Sequence, residues 1–434
     1  MMKFNFEIFE NRLLREKYYR YKHPCGLDIY VFPKKLSSAY ALLGTRYGSV
    51  DNVFGVEGER ELTSVPDGIA HFLEHKLFAN EDGTDSFETF SALGADANAY
   101  TSFNKTAYLF SSTENFEPSL AELIDFVYHP YFTEESVSRE RGIIGQEIGM
   151  YEDSPSESCY YGMLRGLYEN HSIKRNICGS AESISQITPE LLYECHRVFY
   201  NPSNMALIVC GDVRPEDVVR TADAHLPKKC KNVSIIRSSE NDAESPSVAT
   251  PRVEKKMRVA KPIFNIGIKD TDIPAHPSDR QRKDAAMSIL NEMLFARAGK
   301  LYSEMFESGL VSPEMSYYYT VNGSFAFNSI AGESDDPEAV FAKIKSYLKE
   351  VSESGLSRED FERGKRVMYA EFVKEFDSTD SIANNLFSFI CDGADIFEYA
   401  SIISDVTFEQ VEKLFAKSFK DEFFTMSVVY PINT

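Results

Sequence analysis

The sequence predicts an α+β protein in which two similar domains are joined by a linker. At 434 residues, the chain exceeds the usual size of a single hydrophobic core. Residues 228–256 are rich in Ser, Lys, Asn, Asp and Pro and have little periodicity, as is typical of a linker. On either side the same order of signals recurs, with β-rich segments first, long helical stretches next and a strand at the end. We therefore predict domains at residues 1–227 and 257–434.

The individual elements follow from residue periodicity. Alternating or unbroken apolar runs predict strands, and apolar residues at helical spacing with capping residues predict helices. In the first half, the predicted strands are 26–33, 39–49, 97–112 and 204–213, and the predicted helices are 68–80, 86–93, 117–128 and 134–152. In the second half, the predicted strands are 263–270, 315–334 and 423–431, and the predicted helices are 283–308, 337–353 and 358–376. Asn-Gly-Ser within 315–334 predicts a hairpin turn.

Composition excludes several classes of function. The net charge of −21 argues against nucleic acid or an anionic membrane as a partner, because both would be repelled. No apolar run is long enough to span a bilayer, so membrane insertion is not expected. The N-terminal segment lacks the uninterrupted apolar core of a secretion signal, which predicts a cytoplasmic protein. Seven scattered cysteines without a Cys-x-x-Cys pair indicate neither a disulfide framework nor a thiolate zinc site.

The stretch HFLEH, residues 71 to 75, is the clearest candidate site. Asp67 follows Pro66 and can cap a helix that begins at residue 68. On that helix, His71 and His75 lie one turn apart on the same face, so both imidazoles can reach a single ion. Glu74 projects to one side, where a general base for an attacking water should lie. The alternative interpretation is a solvated polar stripe on a helix surface.

Two imidazoles leave a catalytic zinc site one protein ligand short. The best source of a carboxylate is the predicted helix 134–152, which Thr133 can cap and whose first turn is acidic. Glu140 and Glu147 lie on one face of it, two turns apart. Its apolar contacts to the first helix are predicted to come from Ile143, Ile144 and Ile148.

The donor types favour one metal and one reaction. A nitrogen-rich ligand set favours Zn²⁺ over magnesium or calcium, and no oxygenase context points to iron. Zinc lowers the pKa of a bound water to about 7, and Glu74 would take its proton and pass it to a leaving amine. The expected chemistry is therefore hydrolysis.

Residues 94–112 form a third feature. Ala95, Ala97 and Ala99 leave room for another backbone to approach, and the alternation suits an exposed edge strand that could hold an extended peptide. A plain core strand is the alternative.

These motifs together resemble the pitrilysin/insulinase family of inverse-motif zinc peptidases, in particular its bacterial processing-peptidase-like branch. The resemblance rests on HFLEHKLF, on RGIIGQEIGMYED with Glu147 72 positions after His75, and on ICGSAESISQIT and FYNPSNMALIVCGDV. It covers nearly the whole chain, with its specific motifs in the first 215 residues.

The resemblance assigns residue roles. It implies one Zn²⁺ per chain held by His71, His75 and Glu147, with Glu74 as the catalytic base. It places Glu140 behind the ligands as a support, and Asn98, Ala99 and Tyr100 on a substrate-binding edge strand. The implied fold is two α/β-sandwich domains of the LuxS/processing-peptidase-like type. The implied function is a zinc endopeptidase that admits short or unfolded peptides to a closed chamber.

One departure bears on the partner. Self-sufficient members of the family carry an arginine and, shortly after it, a tyrosine in the second half, where this chain has Phe306 and Ser312. No arginine occurs between Arg297 and Arg358, although Tyr317, Tyr318 and Tyr319 are near. The resemblance therefore implies a heterodimer in which a homologous subunit without the zinc motif supplies the pair, and a homodimer is less expected. The alternative function is a non-catalytic scaffold or assembly subunit.

Overall fold

A computed structural model describes residues 4–238 and 244–432 of the chain. These residues form two compact units. The described part of the first unit lies within Met1–Ile148, Asn176–Ser239 and Val373–Cys391, and that of the second within Gly149–Arg175, Glu240–Phe372 and Asp392–Thr434. Both units combine a mainly antiparallel sheet with helices. The predicted α+β class is confirmed.

The elements are numbered in chain order. The strands are β1 (Glu7–Asn11), β2 (Glu16–Lys22), β3 (Asp28–Pro33), β4 (Ala39–Thr45), β5 (Val53–Val56), β6 (Thr63–Ser64), β7 (Asp96–Thr101), β8 (Thr106–Ser112), β9 (Met205–Gly211), β10 (Ile235–Arg237), β11 (Arg252–Met257), β12 (Ile263–Lys269), β13 (Ser316–Val321), β14 (Ala326–Glu333) and β15 (Phe424–Pro431). The α-helices are α1 (Ile69–Leu77), α2 (Ser86–Leu93), α3 (Phe116–Tyr128), α4 (Glu134–Asp153), α5 (Pro155–Leu167), α6 (Ala181–Ile184), α7 (Pro189–Phe199), α8 (Pro215–His225), α9 (Pro277–Phe295), α10 (Lys300–Glu307), α11 (Pro337–Ser354), α12 (Arg358–Lys374), α13 (Thr379–Cys391), α14 (Ile396–Asp405) and α15 (Phe408–Ser418).

The first unit is built on a seven-stranded sheet in the order β1-β2-β3-β9-β4-β8-β7. Only the β3–β9 pair is parallel. The central strands β4 and β9 are buried along their whole length, because helices pack on the sheet. Their unbroken apolar sequences follow from that burial. Strand β7 lies at one end of the sheet, so one of its edges has no strand partner among the described residues.

Helix α13 completes the first unit although it comes from the second half of the chain. It packs on β9 and β4. The contact with β4 is close at Gly44, where a Cβ atom would lie 2.2 Å from the ring of Phe387. A larger residue at position 44 would therefore collide with this ring.

The second unit has a five-stranded sheet in the order β11-β15-β12-β14-β13, with β11 and β15 parallel. Helix α5, from the first half of the chain, packs on β15, β12 and β11. Glycines make this packing close: a Cβ atom at Gly162 would lie 2.2 Å from Ser427 Oγ, and one at Gly166 would lie 2.2 Å from Thr425 Oγ1. Helices α14 and α15 pack on α9, which in turn contacts β13.

Several predicted elements differ in detail from the structure. The predicted strand 97–112 is a hairpin of β7 and β8, and the predicted helix 283–308 is two helices, α9 and α10, separated at residues 296–299. The hairpin predicted at Asn-Gly-Ser is confirmed, since Asn322 N–H donates to Phe325 O between β13 and β14. Strands β1 and β2 were not predicted, because their charged residues obscure the alternation.

The predicted linker 228–256 includes two strands. β10 pairs with β5 in the first unit, and the greater part of β11 lies at the end of the segment. Residues 239–243 of the linker lie outside the described residues. The boundaries at 227 and 257 stay a prediction. Among the described residues, no helix combines the length and the apolar character needed to cross a bilayer.

Glu244, within the predicted linker, stabilises the second unit. Its carboxylate accepts hydrogen bonds from the backbone N–H groups of Glu169, Asn170 and His171 at 2.8 to 3.0 Å, and from Lys269 Nζ at 2.9 Å. Burial raises the pKa of Glu244, but these donors outweigh it and lower the pKa to about 2. Folding therefore favours the ionised carboxylate.

We expect Glu244→Gln to lower the free energy of unfolding at neutral pH by about 2 kcal/mol, because charge-assisted hydrogen bonds are lost. Since folding lowers the pKa from 4.5 to about 2, the contribution is complete above about pH 4.5 and lost as the pH falls through about 2. The difference between wild type and variant should shrink over that range in urea denaturation. Glu254→Gln, at an exposed residue on β11, is the control and should change stability little. Equal stability of wild type and Glu244→Gln would contradict the prediction.

Candidate functional site

Helix α1 carries the HFLEH motif in the first unit. It begins at Ile69, after Gly68 in the left-handed conformation with φ 90°, and has no side-chain cap. The predicted cap by Asp67 is wrong, because the Asp67 carboxylate accepts a hydrogen bond from Asn52 Nδ2 instead. A Cβ atom at Gly68 would lie 2.4 Å from Cys178 O, so only glycine fits this helix start.

Helix α4 brings a carboxylate to the two histidines of α1. Thr133 caps this helix as predicted, since its Oγ1 accepts from Ser136 N–H at 3.1 Å. Ile144 and Ile148 are buried in the core of the first unit. Ile143, predicted to pack in the same way, is instead 51% exposed, because it lies on the neighbouring face of the helix.

Three donor groups converge at this point. Oε1 of Glu147 lies 3.6 Å from His71 Nε2, and Oε2 lies 3.5 Å from His75 Nε2. One donor atom from each of these residues lies within 4.8 Å of the other two. No other trio of metal-ligating side chains is as close within residues 4–238 and 244–432. The predicted convergence of residues 71, 75 and 147 is therefore present in the structure.

The distances between donors fit a zinc ion. A tetrahedral ion with bonds of 2.0 to 2.1 Å separates its ligand atoms by about 3.3 Å, and each imidazole Nε2 lies 3.5 or 3.6 Å from one of the two oxygens of Glu147. Two imidazoles and one carboxylate also form a donor set typical of catalytic zinc, which leaves a fourth position open. The residues present could thus hold this metal.

Glu140 contacts His75 at Nδ1, the ring nitrogen that does not face Glu147. Its Oε1 lies 3.2 Å from His75 Nδ1. Because an ionised carboxylate only accepts, Nδ1 donates to Glu140, and in the neutral ring the lone pair of Nε2 would be available to a metal. Burial opposes a positive charge on His75, but the hydrogen bond to Glu140 and the charges of Glu74, Glu140 and Glu147 raise its pKa. Glu140 therefore orients the imidazole of His75.

The environment of His71 differs from that of His75. Its ring is buried, and its Nδ1 has no hydrogen-bond partner among the described residues. Its Nε2 lies 3.7 Å from the thiol of Cys178. Cys178 was not predicted to lie near the site. A motif search could not find it, because a cysteine at this distance in sequence has no fixed spacing from the helix.

Glu74 lies beside the donors and is buried, with 7% of its surface exposed. Thr101 Oγ1, at the end of β7, donates to Glu74 Oε2 at 2.5 Å. Burial is the main cause that raises the pKa of Glu74, whereas the charge of His71 and the hydrogen bond from Thr101 oppose it. Sequence analysis missed Thr101, since only the packing of β7 against α1 brings it to the glutamate.

The predicted substrate strand is an edge strand. Residues 98 to 100 lie on β7, which pairs with β8 on one side only in the described part of the chain. The N–H of Ala99 donates to the side-chain oxygen of Asn98 at 2.8 Å. Tyr100 points elsewhere, because its hydroxyl donates to Asn384 Oδ1 on α13 at 3.0 Å. The backbone of β7, rather than the Tyr100 side chain, is therefore available to a peptide.

The second unit contains the two positions at which the sequence differs from self-sufficient family members. Phe306 on α10 is exposed and stacks on Tyr302, and Ser312 has a buried hydroxyl without a partner among the described residues. Tyr317 donates to Glu292 and Tyr319 donates to Asp270. Both hydroxyls are thus engaged inside the second unit.

The fold and the site define the class of the protein. It has two α+β units and a His-x-x-Glu-His helix whose two histidines converge with the carboxylate of Glu147, which is the arrangement of inverse-motif zinc peptidases. The chain belongs to the insulinase family, peptidase family M16. The family model described as insulinase (peptidase family M16) matches residues 57–180. The model described as the peptidase M16 inactive domain matches residues 186–368.

Individual relatives agree with this assignment. The uncharacterized zinc protease YmfH of Bacillus subtilis is 38% identical, over 97% of this chain and 98% of that protein. A candidate M16-like peptidase from Alicyclobacillus acidocaldarius has a solved structure with a TM-score of 0.91 and 29% identity, covering 99% of this chain and 100% of that one. A protease from Helicobacter pylori shares the fold, with a TM-score of 0.81 and 19% identity over 96% and 100% of the two chains.

Proposed function

We propose that the chain is a zinc-dependent endopeptidase that hydrolyses short or unfolded peptides in a closed chamber, as the zinc-bearing subunit of a heterodimer. The observation that carries the proposal is the convergence of His71, His75 and Glu147 beside the buried carboxylate of Glu74. The name of the Bacillus subtilis relative, a zinc protease, supports the choice of metal and reaction.

His71, His75 and Glu147 would hold the metal. Bound there, zinc would polarise the scissile carbonyl and lower the pKa of water. The chain's own contribution is to hold these donors in place: Glu140 orients His75, and buried residues of α1 and α4 fix the two helices. Such rigid support is what keeps a ligand set at its working distances.

Glu74 would act as the general base and then as the general acid. Its carboxylate would accept a proton from the attacking water and later donate it to the leaving amine. The hydroxyl of Thr101 holds Oε2 of Glu74 at 2.5 Å. The other carboxylate oxygen is then the one free to exchange the proton.

Strand β7 would hold the peptide by its backbone. An extended peptide added to this edge would place a carbonyl opposite Ala99 N–H, which now donates to Asn98 Oδ1. The Asn98 side chain thus satisfies this donor until a peptide replaces it. Thr101 belongs to the same strand and contacts Glu74. The strand that would bind the peptide therefore also positions the general base.

We expect Thr101→Val to lower kcat by about tenfold to a hundredfold, because Glu74 loses a hydrogen bond to its charged carboxylate. KM and zinc content should change little, since the Thr101 hydroxyl bonds to Glu74 and Thr106 and the backbone of β7 is unchanged. Thr101→Ser keeps the hydroxyl and should restore most of the rate. Steady-state kinetics on a fluorogenic peptide would measure both variants. A Thr101→Val enzyme with wild-type kcat would contradict the positioning role.

The heterodimer is supported by the second unit. Phe306 and Ser312 stand where the family's arginine and tyrosine are expected, and the hydroxyls of Tyr317 and Tyr319 donate to carboxylates. Loss of donors to an oxyanion typically lowers the rate by about a hundredfold or more. The isolated chain should therefore cleave peptides poorly.

The test is reconstitution with a homologous subunit that lacks the zinc motif but carries the arginine and tyrosine. We expect peptidase activity to rise by about a hundredfold or more on mixing, and a pair containing Glu74→Gln to stay inactive, which assigns the activity to this chain. Robust hydrolysis by the isolated chain would reject the heterodimer. A zinc-loaded pair that cleaves no peptide in an unbiased library would reject the endopeptidase itself.

A further inference from the structure

A second cluster of reactive side chains lies in the first unit, near the turn between β2 and β3. Cys25 Sγ lies 2.9 Å from Nδ1 of His23, and Nε2 of the same ring lies 3.1 Å from Asp223 Oδ1. Because the Asp223 carboxylate only accepts, Nε2 carries the ring proton, and Nδ1 accepts from the Cys25 thiol and, at 3.2 Å, from the Cys25 backbone N–H. In this order, a carboxylate orients an imidazole that can take a thiol proton.

A second thiol lies beside this cluster. Cys230 is partly exposed and packs against the core of the first unit, which includes the fully buried Cys25. The two chain segments approach each other beside the thiols, since a Cβ atom at Gly26, the residue after Cys25, would lie 2.9 Å from Oδ1 of Asn232, two residues after Cys230. Burial, then the charges of Cys25 and Cys230, raise the pKa of the Tyr128 hydroxyl, and the charge of Cys230 adds to burial in raising the pKa of Cys25.

We propose that Cys25 and Cys230 form an oxidisable thiol pair, in which a hydroperoxide oxidises Cys230 and Cys25 then closes an intramolecular disulfide with His23 as the proton acceptor. In the first step, the Cys230 sulfur takes one oxygen from the hydroperoxide and becomes a sulfenic acid, and the hydroperoxide is reduced to water or an alcohol. In the second, Cys25 sulfur attacks Cys230 sulfur and the S–OH bond breaks. The Cys25 proton passes to His23 Nδ1 and leaves with the hydroxide as water.

The environment divides the roles of the two thiols. Cys230 is the accessible one, and residues 226–234 join α8 to β10 without regular secondary structure, so it can approach its partner. Burial raises the pKa of both thiols, so Cys25, which is fully buried, rests as a thiol and needs a base when it attacks. His23 is in contact with that thiol. The proposal is independent of the peptidase activity, because none of these residues belongs to the zinc site.

Peptide mapping of the full-length protein tests the pair. After treatment with hydrogen peroxide and alkylation of the remaining thiols, mass spectrometry should find Cys25 linked to Cys230. Cys230→Ser should abolish the link. Cys391→Ser is the matched control, because Cys391 is also partly exposed, and it should leave the link intact. Oxidation of Cys230 to a sulfinic acid without any link to Cys25 would overturn the proposal.

A second variant tests the role of His23. Asp223→Asn, at a partly exposed side chain, keeps the shape but removes the charge that orients the ring. We expect the disulfide to form at least about tenfold more slowly, and dimedone to trap correspondingly more sulfenic acid at Cys230. A merely structural effect would not increase trapping at this one residue. Unchanged rates of linking and trapping would remove His23 from the mechanism.

Discussion

Glu74→Gln should retain bound zinc and lose about a thousandfold in kcat. The glutamine keeps the size of the side chain and can still accept the hydrogen bond from Thr101, but it cannot take a proton. Since Glu74 is not one of the three converging donors, metal binding should change little. Fluorogenic peptide kinetics on the reconstituted heterodimer, together with zinc analysis by mass spectrometry, would measure both properties.

The matched control for this variant is Glu135→Gln. Glu135 lies on α4 but is exposed and pairs with Arg139, one turn away. It should keep the wild-type kcat, which separates the loss of a base from the loss of one negative charge. If Glu74→Gln retains most of the wild-type rate, Glu74 is not the base.

Glu147→Gln should lower zinc affinity by more than about a hundredfold, because an anionic ligand is replaced by a neutral one. Glu140→Gln keeps an oxygen that can accept from His75 but removes the negative charge, and it should lower affinity by about tenfold to a hundredfold. The ranking of the two variants follows from their positions. Competition with a fluorescent zinc chelator at fixed pH would measure both affinities.

The same measurement distinguishes an enzyme from a scaffold. A peptidase should bind about one zinc per chain, and its melting temperature should fall when zinc is removed, because the metal binds only the folded state. Wild-type zinc affinity in Glu147→Gln would mean that this carboxylate is not a ligand. Protein that binds no zinc and melts at an unchanged temperature with chelator would instead favour the non-catalytic scaffold.

Many of the helices and strands were predictable because they depend on local sequence patterns. Helix α2 begins and ends at the predicted residues 86 and 93, and α4 extends one residue beyond the predicted end. These helices have clear starts: Asp85 accepts from Phe87 N–H, and Thr133 accepts from Ser136 N–H. A cap and a helical period act over a few residues, so a short window of sequence contains the necessary information.

Other elements depended on distant parts of the chain. Helix α5 was not predicted, and it contains glycines at positions 162 and 166, which weaken a helix. The structure explains them by close packing on Ser427 and Thr425. Helix α13 likewise packs on the sheet of the first unit, more than 150 residues away from its strand neighbour β9 in sequence. Local periodicity could not show that α5 packs on the sheet of the second unit or that α13 packs on the sheet of the first.

The start of α1 shows the same limit at a single residue. Asp67 has the right type and position for a cap, yet its side chain binds Asn52 and Gly68 begins the helix. The competing partner comes from a different segment of the chain. Residue type alone could not decide between two acceptable hydrogen bonds.

For the candidate site, the sequence by itself determined that His71, Glu74 and His75 share one turn of a helix, because helical geometry depends only on spacing. Only the tertiary structure decided that Glu147 approaches both imidazoles, that Thr101 holds Glu74, and that Cys178 lies beside His71. The physical reason is that these contacts join separate elements, and their distances are set by how buried side chains pack, such as Ile144 and Ile148 in the core of the first unit.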